Sequence, residues 1–280
     1  MFFDLHNDFA TVLAADKYGE YIKTIGDGIV TAAIWTTEFE KSSVARRVKE
    51  ITLSASAHKV PVAIEDIGFV GEGDFDFSPY LYCSLTWNYN NVFAGGALDD
   101  GALTSLGHKI IDRINSCCAL DLAHINRKSF FQALDAAKRP MCSHTGFNNH
   151  PRSLTDEQIK ALIDRRGIIG LSAVTAFTGA KTIRELAQTV DRFVQKYGIH
   201  NIALGTDFYG TTDLPDGFND YGGVGALKSE LNILGYGDGC IKKILYENAL
   251  CFYEEIKGEG HLRKPADYAV RRQKDGGDFL

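Results

Sequence analysis

Short apolar and β-branched stretches recur along the chain and alternate with longer segments of helical periodicity. Each apolar stretch is four to eight residues long, which is the length of a buried strand rather than of a helix. The predicted strands cover residues 2–5, 29–35, 60–66, 80–87, 118–124, 140–145, 167–174 and 201–208.

Segments with apolar residues at helical spacing lie between most of these strands, and a helical pair follows the last one. Two helices carry start signals. Asn126 precedes one of them, and Thr155 with Gln158 forms a capping-box pattern before another. The predicted helices cover residues 42–57, 105–116, 127–138, 155–166, 183–197, 223–234 and 238–256.

Eight strands separated mostly by helices predict an α/β fold, the (β/α)8 or TIM barrel, with additional C-terminal helices. We expect residues 1–256 to form this single domain and residues 257–280 to form a polar C-terminal tail. Residues 66–103 fit the alternation least well, because they are rich in Gly, Asp, Phe and Asn. This region is predicted to form loops over one face of the barrel.

The amino-acid composition restricts the binding partners and the cellular location that can be expected. With 45% hydrophobic and 24% charged residues the chain can bury a substantial core, and its net charge of −6 argues against nucleic-acid partners. The longest mostly apolar segment, residues 167–177, is too short to span a bilayer, and a candidate site residue at position 6 leaves no room for a signal peptide. The six cysteines show no paired spacing, so reduced thiols and a cytoplasmic location are expected.

Ionisable and polar side chains collect where the predicted strands end. In the stretch DLHND, His6 and Asp8 are two residues apart, so a strand would point both to the same face. All strands of a TIM barrel end on one face, where catalytic groups gather. The other side chains at predicted strand ends are those of Glu65, Trp87, Asn88, His124, His144 and Asp207.

Each of these residues alone has an ordinary structural explanation. His6 and Asp8 fit a strand that runs into a turn, and Asp207 fits a turn between glycines. Together, however, they bury several ionisable groups, which is costly unless the groups are paired or bind a metal. Imidazole and carboxylate ligands suit Zn²⁺ or a similar divalent ion, so metal binding is predicted.

The same residues lie in motifs that resemble those of the membrane (renal) dipeptidase family of zinc metallopeptidases, which has an amidohydrolase-like TIM barrel. The resemblance covers nearly the whole chain in one order. The chain is shorter than typical members, so their membrane location is not carried over. The motifs are DLHND (4–8), AIED (63–66), LTWNYNN (85–91), LDLAH (120–124), SHTGFNNHPRSLTDEQI (143–159) and GTDFYG (205–210).

The resemblance implies a site for two divalent metal ions, expected to be zinc, and a small-molecule substrate such as a dipeptide. His6 and Asp8 would hold one ion. His124 and His144 would hold the other, and Glu65 would bridge both. A water bridging the two ions would lose a proton, and the resulting hydroxide would attack the amide carbonyl.

Further roles also follow from the resemblance. Asp207 matches the family aspartate that carries a proton from the nucleophile to the leaving amine. Arg152 matches the arginine that grips the substrate's carboxylate, although a surface arginine beside the next helix is the simpler alternative. Trp87 stands where well-characterised family members place a histidine near the substrate carbonyl, and its indole offers one N–H donor and no acceptor. Either neighbouring Asn88 replaces that interaction or the substrate differs.

Two alternatives to dipeptide hydrolysis stay open. A barrel that kept the metal-binding residues but lost catalytic activity would bind a metal or a ligand without turnover. Such a barrel would, however, be expected to have lost some of the site residues. The same metal-binding residues could also serve a hydrolase of another small-molecule bond, such as that of a lactone or a phosphoester. A fold by itself does not decide between these reactions. Substrate stereochemistry and homo-oligomer formation are also left open.

Overall fold

A closed barrel of eight parallel strands forms the centre of the protein, seen in a computed structural model that describes residues 1–258. Each strand pairs with the next one in sequence, and the last strand pairs with the first through Asp4 and Leu204. The predicted (β/α)8 fold is therefore confirmed. The strands are β1 (Phe3–Asn7), β2 (Ile29–Trp35), β3 (Val62–Glu65), β4 (Tyr80–Ser84), β5 (Ala119–Asp121), β6 (Pro140–Thr145), β7 (Ile168–Leu171) and β8 (Ile202–Leu204).

Helices surround the strands and continue beyond the last one. The turn Lys243–Glu247 is π-helical and joins two α-helices into one continuous helical segment. The α-helices are α1 (Phe9–Val12), α2 (Tyr18–Ile25), α3 (Val44–Ala57), α4 (Ser105–Cys117), α5 (Arg127–Ala136), α6 (Asp156–Asp164), α7 (Thr175–Thr178), α8 (Ile183–Tyr197), α9 (Val224–Ile233), α10 (Asp238–Lys242) and α11 (Asn248–Lys257).

Both sequence signals for helix starts are confirmed. The Asn126 side chain accepts a hydrogen bond from the Ser129 backbone N–H at 2.8 Å, which caps α5. At α6, Thr155 and Gln158 make both hydrogen bonds of a capping box. These caps fix where the helices after β5 and β6 begin, and hence the lengths of the loops between strand and helix.

Five strands, β3, β4, β5, β7 and β8, are shorter than predicted. β4, β5 and β8 each end three residues before the site residue that was expected to close them, namely Trp87, His124 and Asp207. His124 and Asp207 have φ values of 62° and 65°, in the left-handed region that a strand does not contain. These residues, and Asn88, therefore lie in loops beyond the strands, so the prediction that they lie at strand ends was wrong.

The connection between β3 and β4 departs from a regular barrel. Residues 66–79, all of which are described, form one short 3₁₀ turn at Gly68–Val70 and no α-helix. A second irregular segment, residues 85–104, separates β4 from α4. The prediction that residues 66–103 form loops is confirmed apart from β4, and the second loop carries Trp87 and Asn88 to the mouth of the barrel.

The core has two layers. The outer layer fills the space between the strands and the surrounding helices. The inner layer fills the barrel itself with side chains such as Phe3, Leu5 and Met141, and α11 closes this layer with Ala249 and Phe252. Since Phe3 is the first residue of β1, α11 closes the amino-terminal end of the barrel. The carboxyl end is left for polar groups.

The chain after the barrel is described only in part. Helix α11 ends at Lys257, and Gly258 follows with a left-handed φ of 74°. The rest of the predicted polar tail, 257–280, lies outside the described residues, and the single-domain assignment of residues 1–256 stays a prediction. Within residues 1–258, no helix combines the length and the apolar character that a membrane crossing needs.

Candidate metal and substrate site

The predicted metal ligands converge at the carboxyl end of the barrel although they come from distant parts of the sequence. His6 lies in β1, and Asp8 follows that strand as the residue before α1. Glu65 is the last residue of β3, His144 lies in β6, and His124 lies in the loop after β5. All five side chains are buried.

His6 faces a group of carboxylates. Its Nε2 atom lies 3.5 Å from Asp8 Oδ2, 3.8 Å from Glu65 Oε2 and 3.9 Å from Asp207 Oδ1. The strand ends before Asp8, so simple alternation along a strand does not fully describe this pair. The turn into α1 nevertheless keeps the imidazole and the carboxylate on one side, as the sequence predicts.

The other two histidines meet at Glu65. His124 Nε2 lies 2.5 Å from Glu65 Oε1, and His144 Nε2 lies 3.7 Å from the same oxygen. The two Nε2 atoms are only 2.9 Å apart. One carboxylate thus contacts all three imidazoles, as expected of a group that bridges two metal ions.

Tyr82 sets the proton position of His6. The Tyr82 hydroxyl donates a hydrogen bond to the Leu5 carbonyl at 2.8 Å, so its proton is already used. The same hydroxyl lies 2.8 Å from His6 Nδ1 and therefore accepts from the Nδ1–H group. In a neutral imidazole this leaves Nε2 with a free lone pair directed at the carboxylates.

Hydrogen-bond acceptors also fix the proton positions of His144 and His124. The Ser143 hydroxyl donates to Asp121 Oδ2 at 2.6 Å and lies 2.9 Å from His144 Nδ1, from which it accepts. His124 Nδ1 lies 2.8 Å from Asn88 Oδ1, which is an acceptor only. In their neutral forms all three histidines would therefore direct Nε2 lone pairs into one small space.

This arrangement fits divalent metal ions. Two imidazole lone pairs at 2.9 Å repel each other unless a cation lies near both. Among the described residues, Asp8 Oδ1 is buried and has no hydrogen-bond partner, and Glu65 Oε1 faces only the imidazole nitrogens of His124 and His144. Buried polar atoms are rarely left unsatisfied, and nitrogen and carboxylate donors suit zinc. The ligand types and the unpartnered oxygen both point to a cation.

Charge in the site supports the same conclusion. Burial alone would lower the pKa of His6, but the carboxylates of Asp8, Glu65 and Asp207 raise it to about 10. Burial, together with Asp8 and Glu65, raises the pKa of Asp207 to about 8. Without a metal, protons supply the positive charge that these carboxylates require, and a divalent ion would displace them.

The geometry groups the potential ligands differently from the sequence prediction. One group with ligand atoms close enough for a single ion is His6, Glu65 and His144, and the other is His6, Asp8 and Asp207. His6 belongs to both groups, and Asp207 joins the group that contains Asp8. Asp207 is therefore positioned either to move a proton or to bind an ion.

Arg152 lies in the same site and is 6% exposed. Its guanidinium stacks over the Phe177 ring at 5.3 Å, and its Nη2 lies 2.9 Å from His144 Nε2. Its Nε atom has no partner among the described residues. Because Nη2 uses the lone pair that a metal would use, an ion bound at His144 requires the guanidinium to turn away.

A cavity of about 160 Å³ opens beside these groups. It is lined by Arg152 and Asp207 and by apolar side chains that include Trp35, Trp87 and Phe177. The Trp87 ring lies 5.3 Å from the Trp35 ring and 5.9 Å from the His124 imidazole. Trp87 thus forms an aromatic wall of the cavity against a predicted metal ligand.

Several residues of the site were missed by the sequence analysis. Asp121 and Ser143 lie inside the motifs LDLAH and SHTGFNN, but only the histidines of those motifs were assigned. A buried carboxylate within an apolar run such as CALDLAH could have indicated Asp121. Tyr82 and Trp35 lie in apolar strands that carry no such signal.

Asn88 gives a test of how the histidines are held. Asn88→Ala removes the acceptor for His124 Nδ1–H, so we expect metal affinity to fall about 10- to 100-fold, the usual effect of losing such a partner. Competition with a chelator measures this. Asn88→Asp keeps an oxygen acceptor and should retain tight binding. Unchanged affinity in Asn88→Ala would show that His124 does not need this contact.

Comparison with known proteins was made by sequence and by structure. Residues 80–261 match the family model for membrane dipeptidase, peptidase family M19. A protein of Klebsiella pneumoniae described as an uncharacterized protein in the pqqA 5′ region is 31% identical over 209 residues, which are 65% of this chain and 76% of that protein. An uncharacterized dipeptidase of Schizosaccharomyces pombe is 27% identical over 155 residues, which are 50% of this chain and 37% of that protein.

Two solved structures are similar to this barrel. An amidohydrolase from Pseudomonas aeruginosa superposes with a TM-score of 0.79 at 15% identity, over 92% of this chain and 97% of that one. Dipeptidase AC, a metallopeptidase of family M19, superposes with a TM-score of 0.74 at 20% identity, over 90% of this chain and 97% of that one. At these identities the likeness shows a shared fold.

Proposed function

Because the chain belongs to the membrane dipeptidase family of metal-dependent hydrolases, we propose that it cleaves the amide bond of a dipeptide or a related small amide. The observation that carries this proposal is the convergence of three histidine Nε2 atoms on the buried carboxylates of Asp8 and Glu65, beside a cavity lined by Arg152 and Asp207. The Arg152 guanidinium can bind a carboxylate, and Asp207 can carry a proton. Together on one cavity they suit a substrate with a free carboxyl group, such as an amino acid or a peptide.

Two divalent ions, expected to be zinc, are the proposed cofactors. When bound, they would supply an activated water and polarise the amide carbonyl. The proposed ligands are His6, Asp8, Glu65, His124 and His144. Tyr82, Ser143 and Asn88 contact the Nδ1 atoms of the three histidines and so orient each Nε2 toward the proposed metal site.

Asp207 is the proposed proton carrier. Its carboxylate lines the cavity and lies 3.9 Å from His6 Nε2, among the ligands that would place the attacking water. Burial beside the carboxylates of Asp8 and Glu65 raises the pKa of this carboxyl in the metal-free protein, so it holds a proton more readily than an ordinary aspartate does. It would take a proton from the water and return it to the leaving amine nitrogen.

Arg152 is the proposed ligand for the substrate's carboxylate. Its guanidinium offers a fork of N–H donors that matches two carboxylate oxygens. Trp87 and Trp35 contribute an apolar wall of the same cavity rather than a hydrogen bond to the carbonyl. The wall excludes water from one side of the substrate, which strengthens the electrostatic interactions inside the cavity.

Turnover of free and amidated dipeptides tests this assignment. We expect the wild type to hydrolyse free dipeptides and to act poorly on the same dipeptides amidated at the carboxyl end. Arg152→Ala should raise KM for the free dipeptide by about 30-fold or more, since truncating one partner of a buried charge pair costs about 2–5 kcal/mol. It should change KM for the amidated form little.

The matched control is Arg46→Ala, on the exposed face of α3, which should behave like the wild type. Equal turnover of free and amidated dipeptides would remove Arg152 from substrate binding. Turnover of lactones or phosphoesters without turnover of any peptide would assign the alternative chemistry to this barrel.

A further inference from the structure

One buried carboxylate near the site is neither a proposed metal ligand nor the proposed proton carrier. Asp4 lies in β1, two residues before His6, and its side chain is fully buried. It belongs neither to the groups of potential ligands nor to the lining of the cavity. Burying a carboxylate is costly unless hydrogen bonds satisfy its oxygens, so the partners of Asp4 indicate its role.

Four hydrogen bonds from described groups satisfy the Asp4 carboxylate. Oδ1 accepts from the backbone N–H groups of Thr206 at 2.8 Å and of His6 at 3.3 Å. Oδ2 accepts from the hydroxyl groups of Thr206 and Tyr221, each at 2.5 Å. Hydrogen bonds to a carboxylate are shorter and stronger than those between neutral groups. Asp4 therefore joins β1 firmly to two points of the chain after β8.

These two points are the ends of one loop. Residues 205–220, a segment that the structure describes throughout, follow β8 without a helix or a strand. Thr206 is the second residue of this segment, and Tyr221 comes directly after it. We name the segment the Asp207 loop, because it carries the proposed proton carrier. One carboxylate of β1, that of Asp4, thus holds both ends of the Asp207 loop.

The start of the Asp207 loop has an unfavourable backbone conformation. Asp207 and Tyr209 have φ values of 65° and 69°, which residues other than glycine rarely adopt. Such conformations persist only where the surrounding structure holds them. Backbone hydrogen bonds from Asp207 N–H to the His6 carbonyl, at 3.1 Å, and from Asp8 N–H to the Phe208 carbonyl, at 2.9 Å, also bind this segment to β1 and to the residue after it.

The pairing between β1 and β8 is short, so the contacts beyond it matter. Within residues 1–258 the ladder between these strands has one pair, Asp4 with Leu204. His6 Nε2 lies 3.9 Å from Asp207 Oδ1, and these two residues stand on opposite sides of the junction between β1 and the chain after β8. The side chain of Asp4 extends this junction toward the site.

We propose that Asp4 is a positioning residue for the hydrolysis: by holding both ends of the Asp207 loop, it places the Asp207 carboxylate for proton transfer. The inference rests on the proposed function. A proton carrier must lie within hydrogen-bond reach of the atoms between which the proton moves. A displacement of about 1 Å can lower the rate by up to about 10²-fold. Asp4 acts through Asp207 and needs no contact with substrate or ion.

Removing the hydroxyl donors tests the inference and keeps the carboxylate that closes the barrel. Thr206→Val and Tyr221→Phe each delete one hydrogen bond to Asp4 Oδ2 at nearly constant side-chain size. Each should lower kcat for a free dipeptide such as Ala-Ala by about 10-fold and change KM little, since positioning of the proton carrier matters mainly in the transition state. Metal content should stay at the wild-type value, because neither residue is a proposed ligand.

A second background separates positioning of Asp207 from a general loss of structure. In Asp207→Asn the proton carrier is already absent, so adding Thr206→Val should lower the remaining kcat by less than about twofold, because residues that act as a unit have non-additive effects. An equal loss of kcat in both backgrounds would overturn the inference. The matched control is Thr52→Val on α3, where another buried threonine hydroxyl lies 3.1 Å from a tyrosine hydroxyl, that of Tyr80. It should keep the wild-type kcat.

Amide hydrogen exchange gives a readout that does not depend on catalysis. Without added metal, exchange across residues 207–219 should be faster in Thr206→Val and in Tyr221→Phe than in the wild type or in Thr52→Val, because one end of the loop is held less firmly. Wild-type exchange and wild-type kcat in both loop variants would overturn the inference. Faster exchange, combined with no hydrolysis of any dipeptide by the metal-loaded wild type, would show that Asp4 holds the loop and that the proposed function is wrong.

Discussion

Asp207→Asn is expected to lower kcat by about 10²-fold or more while the protein keeps its fold and nearly all of its metal. Asparagine retains a side-chain oxygen acceptor at this turn position, but it cannot take up and return a proton. KM should change less than kcat, because the lost interaction matters mainly in the transition state. Steady-state kinetics with metal analysis of the same sample measure both.

The pH dependence of the metal-free protein gives an independent readout for Asp207. The carboxyl is protonated in the fold up to about pH 8, whereas it ionises near 3.8 in the unfolded chain. Between these values the fold binds the extra proton, so this group makes the wild type lose stability as pH rises. In Asp207→Asn, the midpoint of denaturant unfolding should therefore decline less with rising pH than it does in the wild type.

Two outcomes would contradict the role of Asp207. Wild-type kcat in Asp207→Asn would make it a turn residue and place the proton carrier elsewhere. Loss of metal along with activity would show that Asp207 is a metal ligand. Its close grouping with His6 and Asp8 makes this the direct alternative to the role of proton carrier.

Glu65→Gln is expected to weaken metal binding by at least about 10²-fold and to remove activity at ordinary metal concentrations. The substitution keeps the size of the side chain but removes the negative charge that contacts all three histidines. The new amide N–H₂ group can donate to an Nε2 lone pair and would thereby block it. Chelator competition measures the affinity.

A surface variant controls for nonspecific charge effects. Glu50→Gln removes a carboxylate that pairs with Arg46 and Arg47 on α3, and it should bind metal like the wild type. Circular dichroism should show that both variants are folded. Full metal content in Glu65→Gln would contradict the assignment of Glu65 as the shared ligand.

The fold was predictable because the strands are local apolar runs separated mostly by segments of helical periodicity. β2 and β6 were predicted with their observed limits, and α8 likewise, since each has a strong periodicity and a defined boundary. The loops were harder to predict. His124 and Asp207 adopt left-handed backbone conformations that tertiary contacts impose, and no pattern of apolar residues signals them.

The candidate ligands were predictable from their type and position, but the groups that orient them were not. Tyr82 reaches His6 only because barrel closure brings β4 and β1 to opposite sides of one narrow interior. Asn88 is four residues beyond β4 and contacts His124 through a loop that has no regular structure. Such contacts between distant segments leave no periodic trace in a sequence.

The central claim is that this barrel holds two divalent ions between His6, Asp8, Glu65, His124 and His144. The most direct test is elemental analysis of the purified protein after growth and refolding with ample zinc. The ligand set predicts about two ions per chain, as in other two-metal hydrolytic sites. Protein that is folded yet contains no divalent metal would contradict the claim.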